Sequence, residues 1–399
     1  MIEGLVFMSK KYSIFITVLF CLFTFGFGVA LILSPGRDFS EQENRYLSQF
    51  KAPTPDSLIS GEFMEDFEDY VTDQFPLRDA WIQLKALSER ALGKQENNGV
   101  YFGTDGQTLF AQFKAPSGEE LAKRVGFVNT LGANLDVPVY FSLVPDKSWV
   151  CRTLLPANAP NVDDGSTIDG AMGLCGENVT FLDLRQALAI TCGNTDPMTM
   201  GPFYRTDHHW TTMGAQRACS ALMEGMGLTG QAEDLDGLSY QALSYNEVSD
   251  SFYGTTYSSS GAGWVEPDRI HTVIPEGGTK GHVTVTGYPE GKPIESSLYH
   301  PEKLEVKDKY AYFLGGNQPL CIIENPDAQG GKLLVIRDSY SDSLAPFLAE
   351  EFQEVHLFDL RYTNMSLKQY VEQNGIDRVL VLYSASNFTT DINLFKMAH

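Results

Sequence analysis

The chain has 399 residues, with 51 acidic against 29 basic side chains and a formal net charge of −22. So acidic a surface repels phosphate backbones and other anionic polymers, which excludes nucleic acid as a general partner and leaves proteins and neutral glycans open. The length suffices for one large α/β domain with insertions or for two ordinary domains.

The stretch Tyr12–Leu33 holds no charged residue and is dominated by Ile, Phe, Leu and Val. As a helix rising about 1.5 Å per residue, it crosses a hydrocarbon core of about 30 Å. Lys10 and Lys11 precede it, whereas Ser34-Pro35-Gly36 follows and then Arg37 and Arg45 mix with Asp38, Glu41 and Glu43. The positive-inside bias therefore predicts residues 1–11 as a cytoplasmic tail, 12–33 as a transmembrane anchor in the lipid bilayer, and the rest outside the cytoplasm. A cleaved signal peptide competes, but the apolar run exceeds the roughly 7–15 residues of a signal core and no clear small-x-small site follows. Cys21 lies in the span, while Cys151, Cys175, Cys192, Cys219 and Cys321 face a compartment where disulfides persist. These five thiols allow at most two bridges, and their spacing does not say which; no CxxC motif is present.

Residues 34–98 read as a helical stalk that packs on the following domain. Phe63–Phe75 and Trp81–Leu92 carry apolar residues at helical spacing, interrupted at Pro76. Val100–Gly103 and Thr108–Phe110 flank Thr104-Asp105-Gly106, a hairpin turn sequence. Helix and strand signals then alternate: a helix near Glu119–Leu135, strands at Val137–Val144 and Val179–Leu182, and a helix near Thr212–Met226. From about residue 228 to 309 the chain is rich in Gly, Ser, Thr and Tyr, with strand-like pieces such as His282–Thr286, and reads as a β-rich insertion. The end returns to alternation with Lys332–Ile336, a helix through Leu344–Phe352, Glu354–Phe358, a helix near Ser366–Asn374, and Arg378–Tyr383. This order predicts an α/β domain over residues 99–399, a parallel sheet flanked by helices.

Two segments carry chemistry only if they meet. The first is Tyr204-Arg205-Thr206-Asp207-His208-His209-Trp210, just before a helix. In an extended segment Asp207 and His209 point the same way and His208 the other, and a carboxylate beside an imidazole fixes its tautomer for general-base work. The second runs Leu333-Leu334-Val335-Ile336-Arg337-Asp338-Ser339-Tyr340, an apolar strand turning into a helix. Ser339 then sits at the carboxyl end of a strand, where α/β sheets place active sites and where its own N–H can bind an oxyanion. A serine is inert without a base, so each segment requires the other.

With Asp207-His208-His209-Trp210 standing upstream of the serine turn, the sequence resembles the DHHW family. It is also similar to the alginate O-acetyltransferase proteins with SGNH-hydrolase-like domains, in which an Asp-x-His pair precedes the serine, the reverse of ordinary SGNH esterases. The likeness extends to Glu43-Asn44-Arg45, Phe75-Pro76-Leu77-Arg78 and Val144-Pro145-Asp146-Lys147. It implies an SGNH-hydrolase-like fold with permuted motif order, and a triad in which Asp207 orients His209 and His209 deprotonates Ser339 for transient acylation. Asn387 and Asn317 are the candidate oxyanion donors; Tyr204, Arg205, His208 and Trp210 are candidate substrate contacts. Arg337 departs from the pattern, standing where the usual nucleophile block carries glycine.

The reading that follows is an extracytoplasmic serine-dependent O-acyltransferase or carbohydrate esterase acting on a cell-surface or exported polysaccharide. By resemblance, a membrane-embedded partner supplies the acyl group. No cofactor motif is present, and Gly315-Gly316 reads as a tight turn rather than a phosphate loop. Three rival readings stand beside it. Ser339, Asp338 or Ser341 can cap the following helix, and Asp207 the one after Trp210. A catalytically silent glycan-binding or scaffold protein can use the insertion aromatics Tyr240, Tyr245, Phe252, Tyr253, Tyr257 and Trp264. A metal-dependent hydrolase can use Asp207, His208 and His209 as ligands, although adjacent histidines are expected to point apart, no HExxH is present, and His271, His282, His300, His356 and His399 are scattered.

Overall fold

The computed structural model describes residues 10–40, 42–43, 45–159, 164–190, 192, 201–228, 243–275 and 283–398. Glu41, Asn44, Tyr240, His282, His399 and the first nine residues of the expected cytoplasmic tail lie outside these. The chain divides into one unit of residues 1–92 with 261–263 and a second of residues 93–260 with 264–399.

In the first unit, residues Lys10–Leu33 form one helix of 24 residues, with a mean hydropathy of 2.5 over its most apolar window. Three further helices follow, Pro55–Ser60, Glu62–Asp73 and Arg78–Ala91. The break expected at Pro76 falls between the last two, where Leu77 takes a left-handed φ of 60°. The Glu43–Arg45 and Phe75–Arg78 motifs meet in one ion network: Arg45 grips both oxygens of Asp73 at 2.8 and 2.5 Å, and Arg78 pairs with Glu43. The Arg45 hydrogen bonds outweigh burial and hold the Asp73 carboxyl down at about 2.

The second unit is built on an eight-stranded sheet. Its strands in chain order are β1 (Val139–Val144), β2 (Val179–Phe181), β3 (Thr284–Gly287), β4 (Ile294–Ser296), β5 (Leu320–Glu324), β6 (Lys332–Arg337), β7 (Glu354–Phe358) and β8 (Arg378–Ser384). The spatial order is β4-β3-β5-β7-β6-β8-β1-β2. The run β7-β6-β8-β1-β2 is parallel, and β5, β3 and β4 extend its edge antiparallel. The fold is thus SGNH-hydrolase-like, a mixed sheet flanked by helices. The β-rich insertion is only partly a separate element, since it lends β3 and β4 to the main sheet and forms an antiparallel ribbon, Leu243–Phe252 with Asp268–Pro275.

Flanking helices are α1 (Gly118–Asn134), α2 (Asp164–Leu174), α3 (Thr212–Gly225), α4 (Thr255–Ser260), α5 (Ser341–Glu351), α6 (Leu367–Asn374) and α7 (Ala385–Thr390). Helix α1 opens on a capping box, Ser117 with Glu120, as its sequence favours. Because both sheet faces are covered, β6 reads as an unbroken apolar run whose residues alternate between two cores. Leu333 and Val335 enter the core with α3 and α5; Leu334 and Ile336 enter the one with α1 and α6.

Away from the sheet, residues 100–102 and 109–111 form the expected hairpin, joined by a third short strand at Glu96–Asn97. Cys151 and Cys192 form a disulfide, whereas Cys175, Cys219 and Cys321 are free thiols.

Where the usual block carries glycine, Arg337 ends β6 fully buried and pairs with Asp342 in the first turn of α5. Burial pushes the Asp342 carboxyl up to about 6 against the pull of the guanidinium. The pair ties strand to helix across the serine turn. Removing one partner of a buried pair strands the other, so Asp342→Ala is expected to cost about 3–5 kcal/mol. The loss is read as a lower urea midpoint by circular dichroism; an unchanged midpoint contradicts it.

Candidate active site

The Asp207 segment is not extended. Phe203 and Trp210 form an antiparallel bridge, Tyr204 N–H donates to the His209 carbonyl at 3.1 Å, and residues 205–209 bulge between them as a loop. Lys147 holds this loop from beneath, its buried ammonium donating to the carbonyls of Tyr204, Arg205 and Asp207 at 2.9, 3.0 and 2.6 Å. Asp268 pins the other side by accepting from the Arg205 and Thr206 amides at 3.0 and 2.7 Å. The looped backbone corrects the expectation that the two histidines point apart: their ring centroids lie 3.9 Å from each other.

Asp207 is 1% exposed. Its Oδ1 accepts from the His209 amide at 3.0 Å and from His209 Nδ1 at 2.5 Å. Its Oδ2 accepts from the amide and hydroxyl of Thr255 at 2.7 and 3.0 Å. Burial alone would raise this carboxyl, but the two neighbouring imidazoles and the His209 hydrogen bonds hold it well below the usual carboxylate range. With Nδ1–H given to Asp207, His209 Nε2 is left as an acceptor, and Ser339 Oγ lies 2.8 Å from it. Asp207, His209 and Ser339, remote in sequence, form one hydrogen-bonded chain.

The serine turn is built by Asp338. Its Oδ1 accepts from the Tyr340 amide at 3.1 Å; its Oδ2 accepts from the Ser384 amide and hydroxyl at 2.8 and 2.9 Å and from Asn387 Nδ2 at 2.8 Å. Neither proposed cap occurs. Helix α5 starts at Ser341 with no side-chain cap, and α3 is capped by the Thr211 hydroxyl. Among the described residues the Ser339 amide makes no hydrogen bond, which leaves it available to an oxyanion.

A pocket of about 270 Å³ opens beside this chain, lined by Asp146, Lys147, His208, Thr255, Ser386 and Asn387 among others. Asn387 therefore stands at the pocket, tethered to Asp338. Asn317 does not line it; its exposed carboxamide oxygen accepts from Arg361 at 3.2 Å. Of the four proposed substrate contacts, only His208 lines the pocket. Its Nδ1 lies 2.7 Å from Thr255 Oγ1, and burial with the His209 charge lowers its imidazolium to about 4. Tyr204 is core, edge-on to Phe252. Arg205 is spent on Asp268 and the Pro267 carbonyl. Trp210 is fully buried and donates to the Tyr340 carbonyl and Ser343 Oγ at 3.0 and 2.9 Å.

Asp207, His208 and His209 offer ligand atoms within 4.8 Å of one another. In this structure those atoms are turned to each other, to Thr255 and to Ser339, an arrangement that fits proton transfer.

Three residues escape sequence reasoning. Tyr310 stacks on the His209 ring, centroids 3.8 Å apart and planes 9° from parallel, and its hydroxyl donates to the Ser339 carbonyl at 3.2 Å. Thr255 clamps Asp207. Gly254 abuts it so closely that any Cβ would collide with the Asp207 side chain. Gly254 and Thr255 come from the insertion and Tyr310 from just past its end, all distant in sequence from His209, and only a local TT or YGT pattern could have drawn notice. Of the insertion aromatics, Phe252 is core, Tyr245 bonds Gln216 and Trp264 packs on Phe102. Tyr253 and Tyr257 form a half-buried pair 4.3 Å apart.

Two protein-family models match parts of the chain. Residues 200–358 match the DHHW protein family, and residues 104–263 match the SGNH hydrolase-like domain of acetyltransferase AlgX. No curated protein matches. A DHHW family protein from Eubacterium siraeum is 22% identical, with 76% of this chain and 95% of that chain covered and a TM-score of 0.61. Bacillus cereus PatB1 is 22% identical, with 74% and 98% covered and a TM-score of 0.59. A second PatB1 structure, with a sulfonyl adduct, is 20% identical over 73% of this chain and 96% of that one, again at a TM-score of 0.59. The chain is similar to the DHHW family and to the SGNH-hydrolase-like acetyltransferase domain, and it shares their fold.

Gly254→Ala is expected to displace Asp207 while leaving the sheet intact. The check is the proton resonance of the His209 Nδ1–H, which a short bond to a carboxylate moves far downfield. It should vanish or shift upfield in Gly254→Ala with the far-ultraviolet dichroism unchanged; an unmoved resonance contradicts the contact.

Proposed function

We propose that this protein is an extracytoplasmic, serine-dependent acyl-transferring enzyme that acts on polysaccharide, with Ser339 as nucleophile, His209 as general base and acid, and Asp207 as the carboxylate that orients His209. The observation that carries the reading is the single imidazole bridging a buried carboxylate at 2.5 Å and a serine hydroxyl at 2.8 Å. Supporting it, the matched domain is described as that of an acetyltransferase, and PatB1 was solved with a sulfonyl adduct, the kind of product an activated nucleophile forms.

In the first half-reaction Ser339 Oγ attacks the acyl carbonyl carbon as its proton passes to His209 Nε2. The carbonyl oxygen becomes an oxyanion facing the Ser339 amide, with Asn387 as a second candidate donor. Collapse breaks the bond to the donor's alcohol, which leaves with the Nε2 proton. In the second half-reaction a sugar hydroxyl gives its proton to Nε2 and attacks the acyl carbonyl carbon; the bond to Ser339 Oγ then breaks as Oγ takes the proton back from Nε2, and water in place of the sugar gives hydrolysis. Tyr310, face to face with His209, keeps the ring in plane and stabilises the imidazolium formed between the steps.

Independent features support this compartment. The Lys10–Leu33 helix is long and apolar enough to anchor the chain, its basic flank favours a cytoplasmic N-terminus, and the Cys151–Cys192 disulfide suits an oxidising exterior. A membrane-embedded partner as acyl donor fits that location.

On a chromogenic acetyl ester, Ser339→Ala and His209→Ala are each expected to lower kcat/KM by about 10³-fold or more, with little further loss in the double variant because the two act as a unit. Undiminished activity in either variant sinks the triad. Glycan binding without ester turnover in the parent protein would favour the scaffold reading instead.

A further inference from the structure

The pocket beside His208 and Asn387 is lined by uncharged hydrogen-bonding side chains, among them Gln112, Thr256 and Ser259, together with the apolar Val100, Ala111 and Phe113. Its charged lining residues are Asp146 and Lys147. Lys147 is no cation for a ligand, because each of its three N–H groups has a backbone carbonyl of the Asp207 loop to serve. Among the described residues, the lining therefore has no positive group free to meet a carboxylate or sulfate.

Asp146 adds an acid group. Its amide donates to Asp164 Oδ2 at 2.7 Å and its Oδ1 accepts from Ser386 Oγ at 3.0 Å. Its Oδ2 is buried without a hydrogen-bond partner among the described residues. The groups that face it are Asp164 from α2, Asp338 from the serine turn, Ser386 from α7, Lys147 beside it and His208 on the shared pocket wall. Burial and then the Asp164 charge push the Asp146 carboxyl up to about 8, so at neutral pH it is an acid with a proton to donate.

We propose that this pocket is the subsite for an uncharged sugar residue of the polysaccharide, that Asp146 donates a hydrogen bond to one of its hydroxyls, and that uronate and sulfated sugars are excluded. The inference deepens the acyl-transfer reading and rests on it. A sugar carboxylate entering here would be desolvated with no counter-charge, whereas neutral hydroxyls find hydrogen-bonding partners among the lining side chains.

The test uses the full chain in detergent, with Ser339→Ala to prevent turnover, and titrates neutral hexose and N-acetylhexosamine tetrasaccharides against a tetrauronate of equal length. Uncompensated desolvation of the uronate carboxylates predicts that at least one neutral tetrasaccharide binds more than about tenfold tighter than the uronate. Ser259→Lys, which adds a cation to the wall, should narrow that ratio. Affinity for the neutral sugar should fall as pH rises through about 8 in the otherwise unaltered pocket and should not fall with Asp146→Asn. Lys147, which burial lowers to about 8, titrates in the same range, so an alkaline loss that persists in Asp146→Asn overturns the role of Asp146. Equal or tighter uronate binding, or no binding of any tetrasaccharide, overturns the subsite. Ester hydrolysis by the parent chain separates the two readings: Ser339-dependent turnover without neutral-sugar preference sinks the subsite alone, and neutral-sugar binding without turnover sinks acyl transfer alone.

Discussion

A carboxylate buried as deeply as Asp207 can remain charged only if both oxygens are hydrogen-bonded, and the site is arranged around that requirement. Oδ1 is satisfied by His209 twice, through amide and ring, which fixes the imidazole's tautomer and its plane. Oδ2 is satisfied by Thr255, which is why the insertion must fold back over the loop and why residue 254 has no room for a side chain. From this one group the geometry propagates outward. The ring so oriented presents Nε2 to Ser339, and Tyr310 closes its open face while holding the serine backbone through the carbonyl.

The sheet contributes the second half of the arrangement. Ser339 arrives at the carboxyl end of β6 because apolar residues on both sides of that strand bury it between two helical layers, and the turn that follows is organised by the four hydrogen bonds to Asp338. Arg337 shows how a chain can dispense with the glycine of the usual block. Its guanidinium is carried into the core and neutralised by Asp342, so the strand-to-helix turn is braced by an ion pair.

What could be read in the sequence follows from how local each cause is. The alternation of elements after residue 117 was legible because apolar periodicity is encoded within a few residues, whereas the Thr211 cap of α3 was not read. The grouping of Asp207, His209 and Ser339 was legible because a serine at a strand end requires a base and the DHHW block offers one. The relative placement of the two histidines was not, since the loop closed by Phe203 and Trp210 depends on Lys147 and Asp268, which are far away in the chain. Tyr310, Thr255 and Gly254 were hidden for the same reason, as was the use of β3 and β4 to extend the main sheet. Arg205 and Trp210 looked like substrate contacts because they flank the histidines, yet the fold spends them on Asp268 and on the core.

The central claim is that Ser339, activated through His209, carries the acyl group. It is tested most directly by quenching the protein during turnover of an acetyl ester and locating the modification by peptide mass spectrometry. The account predicts one acetyl group on the peptide containing Ser339 in the parent protein, and none when His209 is replaced by alanine. Turnover with Ser339 unmodified throughout, or acetylation that persists without His209, would contradict it.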